Sequence, residues 1–107
     1  MSEIEESQDI GLSEDVINQL TLIFRQNSKI EEVILYGSRA KGNFRNGSDV
    51  DLTMVGKEIS LSEQFKIENE IDDLLLPYKF DISLFHQIEN PDLIDHIKRV
   101  GIPIFKQ

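Results

Sequence analysis

The sequence predicts an α/β (α+β) fold in which helices pack against a small mixed β-sheet. Apolar residues recur with helical spacing in some segments and alternate with polar residues in others, in the order α-β-β-α-β-α-β. A helix joins the second and third strands, as in a βαβ unit, and this connection is typical of sheets covered by helices. A chain of 107 residues has room for one hydrophobic core. We therefore expect a single domain.

Three helices are predicted from apolar stripes and from residues that start or stop helices. Ser13 is a suitable N-cap before Glu14, whose charge stabilises the first turn of a helix. Pro77 ends the second stripe, and Pro91 opens the third directly after the N-cap candidate Asn90. The helices are expected at residues 13–27, 61–76 and 90–100, with one further helical turn at residues 39–41.

Strands are predicted at residues 30–36, 49–55 and 78–85, with a short final one at residues 102–105. In the second strand, a period of two sends Asp49, Asp51 and Thr53 to the face opposite the apolar residues. Asp81 takes the same polar position in the third strand. If these two strands are neighbours, three carboxylates converge on one face. Such a cluster is costly without a counter-ion, because like charges disfavour the ionised form.

The distribution of charge limits the kind of ligand. The net charge is −9, from 20 acidic against 11 basic residues, and six of the acids lie in the first 15 residues. An acidic surface does not attract nucleic acid, whose binding depends on Lys and Arg contacts to phosphates. Residues 37–47 nevertheless carry Arg39, Lys41 and Arg45 and no acid. This small basic island suits a compact phosphate ligand such as a nucleoside triphosphate, and direct nucleic-acid binding is not expected.

Several classes of protein are disfavoured by what the sequence lacks. It has no cysteine, and hence no disulfide framework or thiolate metal site. No apolar run approaches the roughly 20 residues that span a bilayer. The N-terminus has neither the basic start nor the apolar stretch of a signal peptide. We expect a cytoplasmic protein with no membrane partner, in which residues 1–12 form a flexible acidic tail and residues 13–107 the domain.

One stretch carries most of the functional information, and it reads GSRAKGNFRNGSDVDL from Gly37 to Leu52. A Gly-led turn at a helix start can hold phosphate oxygens with backbone N–H groups. Two carboxylates on one strand face can hold Mg²⁺, which prefers a few carboxylate oxygens together with substrate phosphates. Each element alone has an ordinary structural explanation, as a turn or as the polar face of a strand. Their joint occurrence favours a site for phosphate chemistry. Arg39, Lys41 and Arg45 could each be a solvated loop charge, and Arg39 is the one expected to contact the ligand or a site carboxylate.

These residues resemble the pattern of the minimal nucleotidyltransferases (MNT), a branch of the DNA polymerase beta-like superfamily. The family pattern is Gly-Ser, ten residues, Asp-x-Asp, and a later acid in a strand; its local signature GSRARG and SDIDL appears here as GSRAKG and SDVDL. The resemblance implies the nucleotidyltransferase fold, with Gly37 and Ser38 binding the triphosphate of ATP and Asp49 and Asp51 binding Mg²⁺. It also implies that Asp81 is the third metal ligand and the base.

The chain is similar in particular to the antitoxins of HEPN–MNT toxin–antitoxin systems. That resemblance implies transfer of AMP from ATP to a tyrosine of a HEPN ribonuclease encoded by an adjacent gene, within a homodimer or hetero-oligomer. Two alternatives remain open. The chain could neutralise its partner by binding alone, or could modify a small molecule held by a separate helical subunit.

The remaining candidate residues have simpler interpretations. His86 and His96 are isolated in the sequence and are not expected to bind metal. Tyr36 and Tyr78 are interpreted as partly buried aromatic residues of strands, and not as targets of modification.

Overall fold

The computed structural model describes residues 10–107, and their helices and strands follow the predicted order. The helices are α1 (Glu14–Arg25), α2 (Ser38–Lys41), α3 (Leu61–Asp72) and α4 (Pro91–Val100). The strands are β1 (Glu32–Tyr36), β2 (Val50–Val55), β3 (Phe80–Leu84) and β4 (Ile102–Lys106), and a 3-10 turn at Phe85–Gln87 follows β3. None of the helices within residues 10–107 is long and apolar enough to cross a membrane.

The four strands form one mixed sheet in the order β3-β2-β1-β4. Strand β1 runs antiparallel to both of its neighbours, whereas β2 and β3 are parallel and are connected by α3. The predicted fold class is therefore confirmed. The condition for convergence of the carboxylates is also met, because β2 and β3 are hydrogen-bonded neighbours.

The hydrophobic core lies between one face of the sheet and the helices α1 and α3. Leu20 and Phe24 of α1 and Ile67 and Ile71 of α3 are buried against the apolar sides of β1 and β2. Ser13 caps α1, with its hydroxyl accepting from the Val16 N–H, as expected. Burial of a large aliphatic side chain contributes about 1.5–3 kcal/mol, so this layer accounts for much of the stability of the domain.

Helix α4 lies on the other face of the sheet, above β1. Along β1, Ile34 and Tyr36 alternate with the core residues Val33 and Leu35 and therefore face the opposite way. The ring of Tyr36 meets the ring of His96 on α4 edge to face, with 6.2 Å between the centroids. The second face of the sheet is thus flanked by α4 on the β1 side.

The end of the second helix differs from the sequence prediction. Helix α3 stops at Asp72 and not near residue 76, and Leu75 adopts a left-handed φ of 56°. Pro77 disfavours the helical conformation of the residue before it. Asp72 and Asp73 place negative charge at the negative end of the helix, which favours an earlier stop. Strand β3 is correspondingly shorter than predicted.

Part of the segment predicted to be a tail contacts the domain. Ile10 and Leu12 are partly buried and pack against the hydrophobic core. The carbonyl of Ile10 accepts a hydrogen bond of 2.9 Å from the guanidinium of Arg39. The prediction of a flexible acidic tail for residues 1–9 lies outside the described residues.

Candidate active site

The candidate site is built on a row of three residues across three neighbouring strands. In the sheet register, Tyr36 of β1 pairs with Asp51 of β2, and Asp51 pairs with Asp81 of β3. Directly paired residues point to the same face of a sheet and lie close together. Asp49 precedes β2 by one residue and is exposed, as is Asp81. The structure therefore brings Asp51 and Asp81 together across the sheet, with Asp49 beside them.

The carboxylates influence one another through their charge. Burial raises the pKa of Asp51 above its ordinary value of 3.8, and the charges of Asp81 and then Asp49 raise it further, while His96 lowers it. On the neighbouring helix, burial raises the pKa of Glu68, with smaller contributions from Asp72 and Asp81. The site is thus an acidic surface in which the ionised state of Asp51 is disfavoured when no cation is present.

The carboxylates of this surface suit Mg²⁺ better than they suit a metal ion that is bound by protein side chains alone. Within residues 10–107, no group of three or more His, Cys, Asp or Glu side chains is arranged to hold a metal ion. Magnesium does not require such a cage, because it is usually held by one or two carboxylates plus substrate phosphates. The paired Asp51 and Asp81, with Asp49 adjacent, supply oxygen ligands of the required kind.

Gly37 lies between β1 and the short helix α2 and makes a close contact with the carboxylates. Its φ is 78°, in the left-handed region that favours glycine. A Cβ at this position would lie 2.3 Å from Oδ2 of Asp51. The turn is therefore packed directly against the central carboxylate. Ser38 follows as the first residue of α2, so the turn that carries the predicted phosphate-binding pair adjoins Asp51.

Arg39 is placed differently from an ordinary loop arginine. Its side chain is 3 % exposed and donates to the backbone carbonyls of Ile10, at 2.9 Å, and Ser48, at 3.0 Å. The guanidinium also lies over the rings of Phe44 and Tyr78, 4.9 and 5.3 Å from their centroids. These contacts tie together the segments around Asp49. A direct contact between Arg39 and a bound nucleotide stays a prediction.

Two residues to which the sequence analysis assigned no role in the site contact this surface. The Nε2 atom of His96 accepts a 3.1 Å hydrogen bond from the backbone N–H of Gly37. Tyr36 is buried beside the carboxylates. Burial raises the pKa of its phenol above 10.0; a hydrogen bond with Ser83 opposes that shift, and the charges of Asp51 and Asp81 add to it. Tyr36 is thus a neutral phenol at neutral pH, and it lies beside Asp51 at the β1 end of the row Tyr36–Asp51–Asp81.

A signal for His96 is present in the sequence. His96 follows Leu93 by three residues and precedes Ile97, which places it toward the inward side of an amphipathic helix. This spacing predicts a partly buried histidine but does not identify its partner.

Comparison with known protein families identifies this chain as a nucleotidyltransferase. Residues 18–107 match the family described as Polymerase beta, Nucleotidyltransferase, and the chain belongs to that family. It is 32 % identical over 79 residues to a Methanocaldococcus jannaschii protein that bears the name "Putative protein adenylyltransferase MJ0141". The match covers 71 % of this chain and 80 % of that protein. The predicted enzyme class, nucleotidyltransferase, is thereby confirmed.

The fold is shared with chains from toxin–antitoxin complexes. A chain of a toxin–antitoxin complex crystallised with AMP-PNP superposes with a TM-score of 0.69 at 16 % identity, over 85 % of this chain and 73 % of that one. A chain from the Shewanella oneidensis complex of a tri-AMPylated HEPN toxin with its MNT antitoxin gives a TM-score of 0.66 at 13 % identity, over 90 % and 74 %. The MntA-HepT complex gives 0.65 at 13 % identity, over 89 % and 74 %. At these identities the likeness establishes the fold.

Proposed function

We propose that this chain transfers AMP from ATP to a tyrosine hydroxyl of a HEPN ribonuclease toxin, with Mg²⁺ as cofactor, and acts as the antitoxin. The observation that carries the proposal is the pairing of Asp51 with Asp81 across parallel strands, beside the Gly37 turn. The name of the M. jannaschii relative and the AMP-PNP and AMPylated complexes that share the fold support AMP as the transferred group and a HEPN protein as the acceptor.

Each residue of the site has a role in this reaction. Gly37 and Ser38 would hold the triphosphate, and the carboxylates of Asp49, Asp51 and Asp81 would hold the cation. When bound, the cation supplies charge neutralisation and orients the attacking and leaving oxygens. The acceptor oxygen forms a bond to the α-phosphorus, the bond to pyrophosphate breaks, and the hydroxyl proton passes to Asp81. Positioning and electrostatics supply most of the rate, which is why so small a domain suffices.

The position of Asp81 suits a large acceptor. Asp81 is exposed and lies on β3, which is an edge strand of the sheet. A tyrosine on another protein can approach such an edge without opening the core. Asp81 is therefore the carboxylate best placed to receive the proton of a protein hydroxyl. Two alternatives came from the sequence. If the chain only binds its partner, no molecule gains AMP; if it modifies a small molecule, that molecule and not the partner protein gains AMP.

Replacement of Asp81 by asparagine should separate catalysis from binding. As base and cation ligand Asp81 acts mainly in the chemical step, so Asp81→Asn is expected to reduce AMP transfer by about 100-fold or more. An exposed Asp→Asn change with only a structural role costs within about 0.5 kcal/mol, so the variant should fold and bind its partner normally. Transfer of labelled AMP to the partner is measured alongside pull-down of the complex.

Glu89→Gln is the matched control, because Glu89 is an exposed acid in the loop before α4. It should leave labelling and binding unchanged. If Asp81→Asn retained full labelling, Asp81 would have no part in the chemistry. If the variant lost labelling but still neutralised the toxin, neutralisation would depend on binding and not on AMP transfer.

A further inference from the structure

His96 connects helix α4 to the turn that carries Gly37 and Ser38, although 59 residues separate it from Gly37 in the sequence. Its Nε2 atom accepts a hydrogen bond of 3.1 Å from the Gly37 N–H, so this ring nitrogen presents its lone pair to the turn. The ring also makes the edge-to-face contact with Tyr36. His96 therefore packs against Tyr36 and accepts a hydrogen bond from Gly37, the residue that follows Tyr36 in the chain.

Gly37 is held at three points, and His96 supplies one of them. The carbonyl of Gly37 accepts from the Lys41 N–H at 3.1 Å, which fixes the peptide that leads into Ser38. Its Cα is packed against the carboxylate of Asp51. The third contact is made by the N–H of Gly37, which belongs to the peptide that joins Tyr36 to Gly37. Among the described contacts, His96 is the acceptor of this N–H. Glycine has the widest backbone freedom of any residue, so loss of this bond would let the N–H side of this peptide reorient more easily, although the other two contacts remain.

We propose that His96 is a positioning residue of the nucleotide site, which fixes the Gly37 turn so that Ser38 faces the triphosphate before ATP binds. The proposal rests on the proposed role of Gly37 and Ser38 in nucleotide binding. It gives α4 the function of holding the Gly37 turn through His96, in addition to the roles proposed for the carboxylates. His96 does not touch the reacting atoms, and its effect is exerted through the backbone of Gly37.

The expected consequence is a change in nucleotide affinity and not in the chemical step. Ordering the backbone of one residue has an entropic cost that corresponds to about a tenfold change in affinity, or about 1.4 kcal/mol. A variant without the acceptor should therefore show a KM for Mg–ATP about tenfold above that of the wild type. Its kcat at saturating ATP should lie within about threefold of wild type, since the carboxylates are unchanged.

Two substitutions separate the hydrogen bond from the ring contact. His96→Phe keeps an aromatic ring against Tyr36 and removes the acceptor, whereas His96→Gln removes the ring and offers an amide oxygen to the Gly37 N–H. Neither variant carries a charge, so any effect of a histidine charge on Asp51 is lost in both. His86→Phe is the control, because His86 is an exposed histidine in the 3-10 turn.

The experiment measures KM for Mg–ATP and kcat for AMP transfer to the copurified partner, with melting temperatures to confirm folding. His96→Phe should raise KM about tenfold, while His96→Gln and His86→Phe should stay within about threefold of wild type. Equal KM values for His96→Phe and wild type would overturn the positioning role and leave the proposed function intact. Equal impairment of His96→Phe and His96→Gln would also overturn it. If the wild type transferred no AMP, the proposed function would fail and this inference with it.

Discussion

Asp51→Asn is expected to abolish nucleotidyl transfer, by about 1,000-fold or more, while the ligand-free protein becomes slightly more stable at neutral pH. Asp51 is the central carboxylate of the row, paired with Asp81 and packed against Gly37. Loss of a single group that stabilises transition-state charge commonly costs 100- to 1,000-fold in rate. Because Asp51 would also hold the cation, the loss should lie at the upper end of that range. Initial rates of labelled-AMP transfer measure it.

The gain in stability follows from the charges around Asp51. Burial, Asp81 and Asp49 all raise the pKa of this carboxyl above 3.8, so its ionised form destabilises the folded state. The folded state therefore binds the proton more tightly than the unfolded state does. The stability associated with the proton is fully present below pH 3.8, the ordinary value, and is lost as the pH rises through the higher pKa of the folded state.

Melting temperatures measured from acid to neutral pH should show this directly. Asp51→Asn should melt above wild type at neutral pH, and the two curves should converge toward the acid end, where Asp51 is protonated. Glu58→Gln, an exposed acid in the loop after β2, should show no such pH-dependent difference. A difference that was constant across the pH range would contradict the electrostatic explanation.

Gly37→Ala is expected to cause the second large loss of activity. The new Cβ would lie 2.3 Å from Oδ2 of Asp51, so the carboxylate or the turn must move. Either movement would separate the proposed triphosphate site from the proposed cation ligands. We expect AMP transfer to fall by about 100-fold or more, on the scale of removing one preorganised group. Binding of an ATP analogue should weaken in parallel.

Gly47→Ala is the control for placing alanine at a positive φ. Gly47 has a φ of 87°, close to the 78° of Gly37, but a Cβ at Gly47 would meet no atom within 4 Å. Gly37→Ala adds the contact with Asp51 and also the ψ of −155°, a backbone conformation confined almost wholly to glycine. If the two variants lost activity equally, the close approach to Asp51 would be irrelevant and only the turn conformation would matter.

The sheet and the carboxylates could be predicted from the sequence because their signals are local. Alternation within β2 assigns Asp51 to the face opposite Leu52, and the helix α3 between the strands indicates a βαβ connection. The pattern of Gly37-Ser38, Asp49 and Asp81 is likewise visible in the sequence itself, without knowledge of the fold. The register that pairs Asp51 with Asp81 is known only from the folded sheet, because adjacency of two strands does not fix their register.

The contacts that could not be predicted depend on distant segments. The basic island suggests that Arg39 is a solvated or ligand-binding charge, but its burial depends on Ile10, Phe44 and Tyr78, which meet only in the folded chain. The hydrogen bond from Gly37 to His96 likewise requires α4 to cross above β1. The apolar stripe predicts that α3 continues toward Pro77, but the charges of Asp72 and Asp73 and the proline itself disfavour the last turn. The stripe alone does not show which effect is larger.

The intact mass of the partner tests the central claim most directly. The wild-type chain is purified with the proposed HEPN-type partner and incubated with ATP and Mg²⁺, and the components of the complex are separated for mass measurement. We expect the partner to gain the mass of one or more AMP groups on tyrosine, with no gain when Mg²⁺ is withheld or when Asp51→Asn replaces the wild type. A folded wild-type complex whose partner gains no mass from Mg–ATP would contradict the account.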